Sequence, residues 1–329
     1  MRIAVTGSIA TDHLMTYQGR FADSLVPESL AKISVSFLVD DLEVRRGGVG
    51  ANIAFGLGCL GLRPILVGAA GEDFEPYRSW LARHGVDTDS VRISQLKHTA
   101  RFVCTTDLDQ AQIASFYAGA MSEAREIELA PTAARVGGLD LVLIGPNDPV
   151  AMARHTAECR DRGIPFAADP SQQLSWLEGE AIRDLVAGAA YLFTNEYEAA
   201  MIEKKTGWSV DEVAASVDVR VTTLGADGAR IVARGADPIH VAATPVDRVV
   251  DPTGVGDAFR AGFLAGRSWG LDLTRSAQVG AVLAGYVIET LGTQEYRLQT
   301  RAFLDRLGSA YGAAAAAQVQ PHLAVPVLR

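Results

Sequence analysis

Residues 51–70 read ANIAFGLGCLGLRPILVGAA. The first half carries small and apolar residues in a helix-like run and ends in glycines. The second half is an unbroken apolar run that begins at Pro64 and closes on Gly68, Ala69 and Ala70. A helix that feeds a continuously apolar strand points to a parallel sheet buried on both faces, because such a strand has no polar side to show. The same stretch contains Gly56, Gly58 and Gly61, a formal GxGxxG spacing. A dinucleotide fingerprint has to leave a strand and open a helix. Here the helix comes first and the strand second, so a dehydrogenase is set aside.

The unit recurs. RIAVTG (2–7), DLVLIGPND (140–148), PFAADPS (165–171), YLFTNEYE (191–198) and VRVTTLG (219–225) are short apolar runs ending in glycine, Asn or Asp, with amphipathic stretches between them. This predicts an α/β fold, a mostly parallel central sheet covered by helices on both faces. Two segments break the rhythm. ISVSFLV (33–39) and DLEVR (41–45) read as strands, as do TARFVCTTD (99–107) and QAQIASFY (110–117), the last two joined by a turn around Leu108 and Asp109. The expected division is an α/β core of residues 1–10, 47–98 and 119–329. Residues 11–46 and 99–118 form a small projecting β-sheet that acts as a lid. Such a flap would close over the carboxyl ends of the strands, where open α/β sheets bind ligands. The Ala-rich stretch AYGAAAAAQVQ (310–320) reads as a helix that then frays.

Bulk properties narrow the classes. The 329 residues can bury one large core or two ordinary ones, and a net charge of −9 argues against nucleic acid or an anionic membrane as partner. Cys59, Cys104 and Cys159 are odd in number and far apart, which fits reduced core-filling thiols in a cytoplasmic protein rather than a disulfide frame or a zinc site. The opening MRIAVTGSIA reads as a strand and turn, not a signal peptide, and no apolar run is long enough to span a bilayer.

Polar residues gather at the predicted strand ends. DPTGVGDAFRAGF (251–263) puts Gly254, Val255 and Gly256 before Asp257 at the start of a helix, a place where free N–H groups favour an anion. The plainer reading of Asp257 is a favourable first-turn charge. In TNEYEA, Asn195 and Glu198 are three apart at a helix start, suited to a hydrated Mg2+ or, more plainly, to capping. TTLGADGARI (222–231) is a glycine-rich turn between strands, a nucleotide cradle or an ordinary hairpin. RGGVGAN (46–52) opens another helix and ends in Asn52. Asp12 lies just past the first strand, within reach of sugar hydroxyls or simply solvated. There is no GxxxxGK[ST], so any phosphate is held by another device.

Together, RGGVGANIAFGLG, NEYE, TTLGADG and DPTGVGDAFRAGFL resemble, in order, the motifs of the ribokinase-like (phosphofructokinase-B type) carbohydrate and nucleoside kinases, over about residues 1–312. Val255 departs slightly from the small residue often found between the two glycines. The resemblance implies an ATP-dependent phosphotransferase in which Gly254, Val255 and Gly256 line an anion hole and Asp257 is the general base. Asn195, Thr223, Gly225, Asp227, Gly228 and Gly256 would bind ATP, and Glu198 with Asn195 would hold Mg2+ through water. A K+ ion near Asp251 and Thr253 is a further expectation.

Val49 stands where sugar-phosphate kinases of the family often carry a lysine, which removes a charge suited to a phosphorylated acceptor. GSIATDHLM, ARFVCTTDLDQAQIASFY, AADPSQQL and LFTNEYE look like the ribokinase-type bacterial adenosine kinases. By that resemblance Ser8, Asp12, Gly48 and Asn52 hold the ribose of adenosine, while Ser36, Phe102, Phe116, Gln172 and Gln173 surround the purine. A homodimer through the lid sheets is implied as well. The alternatives are a kinase of another nucleoside or of a neutral sugar, and a nucleoside-binding protein without turnover.

Overall fold

The computed structural model describes residues 1–25, 31, 32 and 34–323. Among these, thirteen strands form two sheets. In chain order they are β1 (Ile3–Thr6), β2 (Ala10–Thr16), β3 (Asp41–Gly47), β4 (Ile65–Gly71), β5 (Val91–Ser94), β6 (Ala100–Thr106), β7 (Gln112–Tyr117), β8 (Leu141–Ile144), β9 (Phe166–Ala168), β10 (Tyr191–Asn195), β11 (Val219–Thr223), β12 (Ala229–Ala233) and β13 (Ile239–Val241). The large sheet has the order β13-β12-β11-β10-β9-β8-β1-β4-β5. It is parallel except where β12 runs against both of its neighbours.

Alternation along β1 explains the apolar runs. Ile3 and Val5 enter one core with Phe55, Phe263 and Phe303, while Ala4 enters the other with Met152, Phe166 and Ile202. Helices Val49–Cys59, Val255–Ser268, Leu273–Ile288 and Thr300–Tyr311 cover the first face. Pro149–Asp161, Gly179–Val186 and Glu196–Thr206 cover the second. The three cysteines are free and buried. No helix among the described residues is long and apolar enough to cross a membrane.

The chain leaves β1 for β4 on one side and later returns to β8 on the other. This reversal opens a crevice at the carboxyl ends of the strands. The small sheet, β3-β2-β6-β7, stands over that end, with β2 and β6 parallel and the outer pairs antiparallel.

One expected strand is absent. Residues 34–39 of ISVSFLV form no strand, and Ile33 lies outside the described residues. Phe37 instead packs on Tyr17 and Phe21, with ring centroids 4.9 Å from each. Among the described strands the outer edge of β3 is unpaired, so it is this aromatic packing, not the want of an edge, that keeps the stretch out of the sheet.

Candidate active site

Strand register builds one wall. Arg45 on β3 faces Asp12 on β2, Asp12 faces Phe102 on β6, and Phe102 faces Phe116 on β7. Paired residues share a face of the sheet, so this row looks into a cleft of about 810 Å³. The core supplies the opposite wall. Ser8 follows β1, Pro146 follows β8, Gln172 and Gln173 follow β9, and Gly48, Val49 and Asn52 come from the helix opened by RGGVGAN. Gly254 and Asp257 complete the floor.

A second cavity of about 440 Å³ lies on the other side of the same helix start. Thr223, Gly225 and Gly228 from the glycine-rich turn border it, with Val255, Gly256 and Phe259 from the helix. One helix N-terminus is thus a wall common to both cavities. Its Gly254 cap has φ 76°, a left-handed conformation, and a Cβ there would lie 2.8 Å from Thr293 Cγ2. Gly256 is small for another reason: a Cβ on it would stand 2.6 Å from Arg260 Nη1. Packing thus gives both glycines a reason beyond the anion-favouring helix start read from the sequence.

Asp257 accepts a hydrogen bond from Asn52 Nδ2 at 2.9 Å. The Asn52 carbonyl in turn accepts from Thr293 Oγ1 and from Gln294 Nε2, both at 2.9 Å. Gln294 Oε1 accepts from Trp80 Nε1 at 3.1 Å. This relay of amides leaves Asn52 one way to point, so its first office is to orient Asp257. Burial pushes the Asp257 carboxyl up to about 6, against the opposing pull of Arg260 and the Asn52 amide. Burial likewise raises Asp12 to about 6, with Arg45 opposing and Asp251 assisting.

The sequence-predicted residues do not all converge. Ser36 is exposed and stands apart from the cleft, because its segment packs through Phe37 instead of continuing the sheet. Asp227 is exposed and does not border the second cavity. Asn195 borders neither cavity; it caps the helix Glu196–Thr206, accepting from Glu198 N at 2.7 Å while its own N–H donates to Glu198 Oε2 at 2.8 Å. Sequence reasoning also missed several residues, among them Arg45, Trp176 and Thr293, which line the cleft, and Gln294, buried behind Asn52. Trp176 sits three residues past Gln173, and its aromatic ring in an otherwise polar turn was a usable signal.

The capping box bears on the metal. Glu198 Oε2 is committed to the cap, and among the described residues Oε1 has only Ser171 Oγ at 3.4 Å. No group of three or more His, Cys, Asp or Glu able to hold a metal occurs among the described residues. Mg2+ takes most of its ligands from water and phosphates, so one half-free carboxylate fits that outer role. Asn195 Oδ1 gives one of its two lone pairs to the cap, which limits what it can offer a hydrated ion. Glu198→Gln is expected to raise the magnesium concentration for half-maximal activity by about 10–100-fold, the usual effect of an outer-shell partner. An unchanged magnesium titration would reduce Glu198 to a cap.

The residues named for K+ fit less well. Asp251 Oδ1 accepts from Thr253 N at 2.9 Å, and Oδ2 accepts from Gly292 N at 3.0 Å with Arg45 Nη1 3.9 Å away. Burial raises this carboxyl, but these donors and Arg45 outweigh it and hold it below the ordinary value.

The chain is similar to known kinases over most of its length. The family model for pfkB family carbohydrate kinases matches residues 5–301. A nucleoside kinase of Methanothermobacter thermautotrophicus is 32% identical over 75% of this chain and 80% of its own. One from Methanocaldococcus jannaschii is 28% identical over the same shares. The structure of the Burkholderia thailandensis nucleoside kinase in complex with inosine superposes with a TM-score of 0.81 at 34% identity, covering 94% of this chain and 98% of that one. The chain belongs to the pfkB family of carbohydrate kinases.

Proposed function

We propose that the protein transfers the γ-phosphoryl group of ATP to the 5′-hydroxyl of a purine nucleoside, with adenosine as the preferred acceptor. The observation that carries this reading is the pair of cavities divided by one helix start, with a carboxylate on that boundary. The glycine-rich turn side takes ATP, and the lid side takes the nucleoside. Asp257 accepts the proton of the 5′-hydroxyl as its oxygen bonds to phosphorus, and ADP leaves with the electron pair of the broken P–O bond. The first-turn N–H groups receive the charge in transit. Bound Mg2+ would neutralise the ATP phosphates. The helix dipole lowers the basicity of Asp257, yet burial leaves it near 6, closer to the working pH than an ordinary carboxyl.

Two features favour a nucleoside over a free sugar. The cleft is large for a pentose, and the row Phe102–Phe116 offers aromatic faces on which a base can stack. Gln173 already donates to the Asn147 carbonyl at 2.8 Å, which tilts what it can still offer toward accepting, as the 6-amino group of adenine requires. Inosine is the second reading, because the Burkholderia relative has been solved with that ligand. Leu42, Val44 and Ile113 are exposed on the opposite face of the small sheet, which supports the proposal of a homodimer through the lids.

Phe102→Ala is expected to raise the adenosine KM by about 10–100-fold, the equivalent of roughly 1–3 kcal/mol of lost stacking, with the ATP KM nearly unchanged. Equal weakening of both substrates together with a lower Tm would make Phe102 a packing residue only. The product tests the whole proposal. 31P NMR of a reaction with adenosine should reveal a new 5′-monoester resonance growing with ADP. Phosphate consumed without a nucleoside monoester would remove the proposal.

A further inference from the structure

Two carboxylates pair with one guanidinium beneath the start of the helix Val255–Ser268, and a third, Asp257, lies within its field. Arg260 Nη2 lies 2.6 Å from Asp169 Oδ1 and 3.8 Å from Glu198 Oε2. Asp257 stands one turn before Arg260 on the same helix, so the two face the same way. Arg260 and Asp169 are buried, and the Phe193 ring lies 5.9 Å from the guanidinium. Long helical side chains lean toward the helix N-terminus. Gly256 leaves the space that this requires, since Arg260 Nη1 would be 2.6 Å from a Cβ there. The positive charge is therefore carried back to the level of Gly256, whose residue lines the second cavity. Asp169 Oδ2 and Arg260 Nε have no hydrogen-bond partner among the described residues, so the pair is not a closed, self-satisfied bridge. Burial works against the charge of Arg260, and the surrounding carboxylates outweigh it. An apolar pair of equal volume is often as stable as a buried ion pair, so stability alone is a weak reason for this one.

We propose that Arg260 is a positioning residue for phosphoryl transfer, a fixed cation that Asp169 anchors and that extends the positive helix end beneath the boundary of the two cavities. The inference rests on the phosphotransfer reading above. Negative charge crosses this boundary only during the reaction, so a charge fixed below it acts on the transition state more than on either bound substrate. Arg260 takes no proton and forms no bond; the proton still goes to Asp257.

Arg260→Met is expected to lower kcat by about 10²-fold and leave the acceptor KM within about threefold. Arg260→Lys should keep clearly more activity than Arg260→Met, and dilute guanidinium chloride should partly restore Arg260→Ala. A Met variant that retains more than about a tenth of wild-type kcat overturns the proposal, as does a loss falling wholly on KM. If the Met variant has no folded melting transition, Asp169→Asn carries the test, because it keeps the cation and loosens its anchor. A fall in kcat of about tenfold at unchanged KM is then expected, and a wild-type kcat overturns the idea. If wild type phosphorylates no nucleoside, the functional reading fails separately. Arg260 is then read from binding of ADP with aluminium fluoride, a mimic of the moving phosphoryl group. Wild type should bind it more tightly than ADP alone; loss of that increment in Arg260→Met supports the proposal, and its retention overturns it.

Discussion

Asp257→Asn is expected to lower kcat by about 10²–10⁴-fold, the range for a lost general base, with substrate KM values changed little. The amide fills the same space, and Asn52 Nδ2 still has an oxygen to meet in place of the carboxylate it now holds at 2.9 Å. The orienting relay through Gln294 and Trp80 therefore stays formed, and the loss reports on basicity rather than on collapse of the site. Binding of both substrates by calorimetry would separate the two. A variant that keeps more than about a tenth of the turnover would leave Asp257 without the role.

Gly254→Val is expected to lower kcat by about 10²-fold, comparable to losing an oxyanion donor. A valine at φ 76° costs roughly 1–2 kcal/mol on conformational grounds. Its Cβ would also stand 2.8 Å from Thr293 Cγ2. Thr293 would have to move, and with it the Asn52 carbonyl that orients the base. The Tm should fall, while most of the protein remains folded at assay temperature. Near-wild-type kcat would mean that the helix start tolerates displacement and does not hold the transferring group.

The division between what the sequence disclosed and what it hid follows contact distance along the chain. The strands β1, β4, β8 and β10 are each spelled by a largely apolar contiguous run, and RGGVGAN and DPTGVGD each build one helix start from neighbouring residues. Such features are legible because their causes are local. The Gln294–Asn52 bond spans 242 positions and the Arg260–Asp169 bond spans 91. No local pattern records either. Arg260 nevertheless left a trace: it is an arginine within the apolar run AFRAGFL, three residues past Asp257, where a helix would turn it inward. ISVSFLV misled for the converse reason, since strand propensity says nothing about tertiary packing, and Phe37 joins the Tyr17–Phe21 cluster instead. Asn195 and Glu198 illustrate a third case. Their spacing suits both a capping box and a metal role, and the capping box is formed.

The most direct measurement is ADP release, coupled to a spectroscopic readout, with adenosine, inosine, guanosine, ribose and fructose as acceptors under identical ATP and magnesium. Adenosine should give the highest kcat/KM, inosine should follow, and the free sugars should fall well below both. Turnover of ribose or fructose at or above that of every nucleoside, or no ADP release with any acceptor, would contradict nucleoside phosphorylation as the activity of this site.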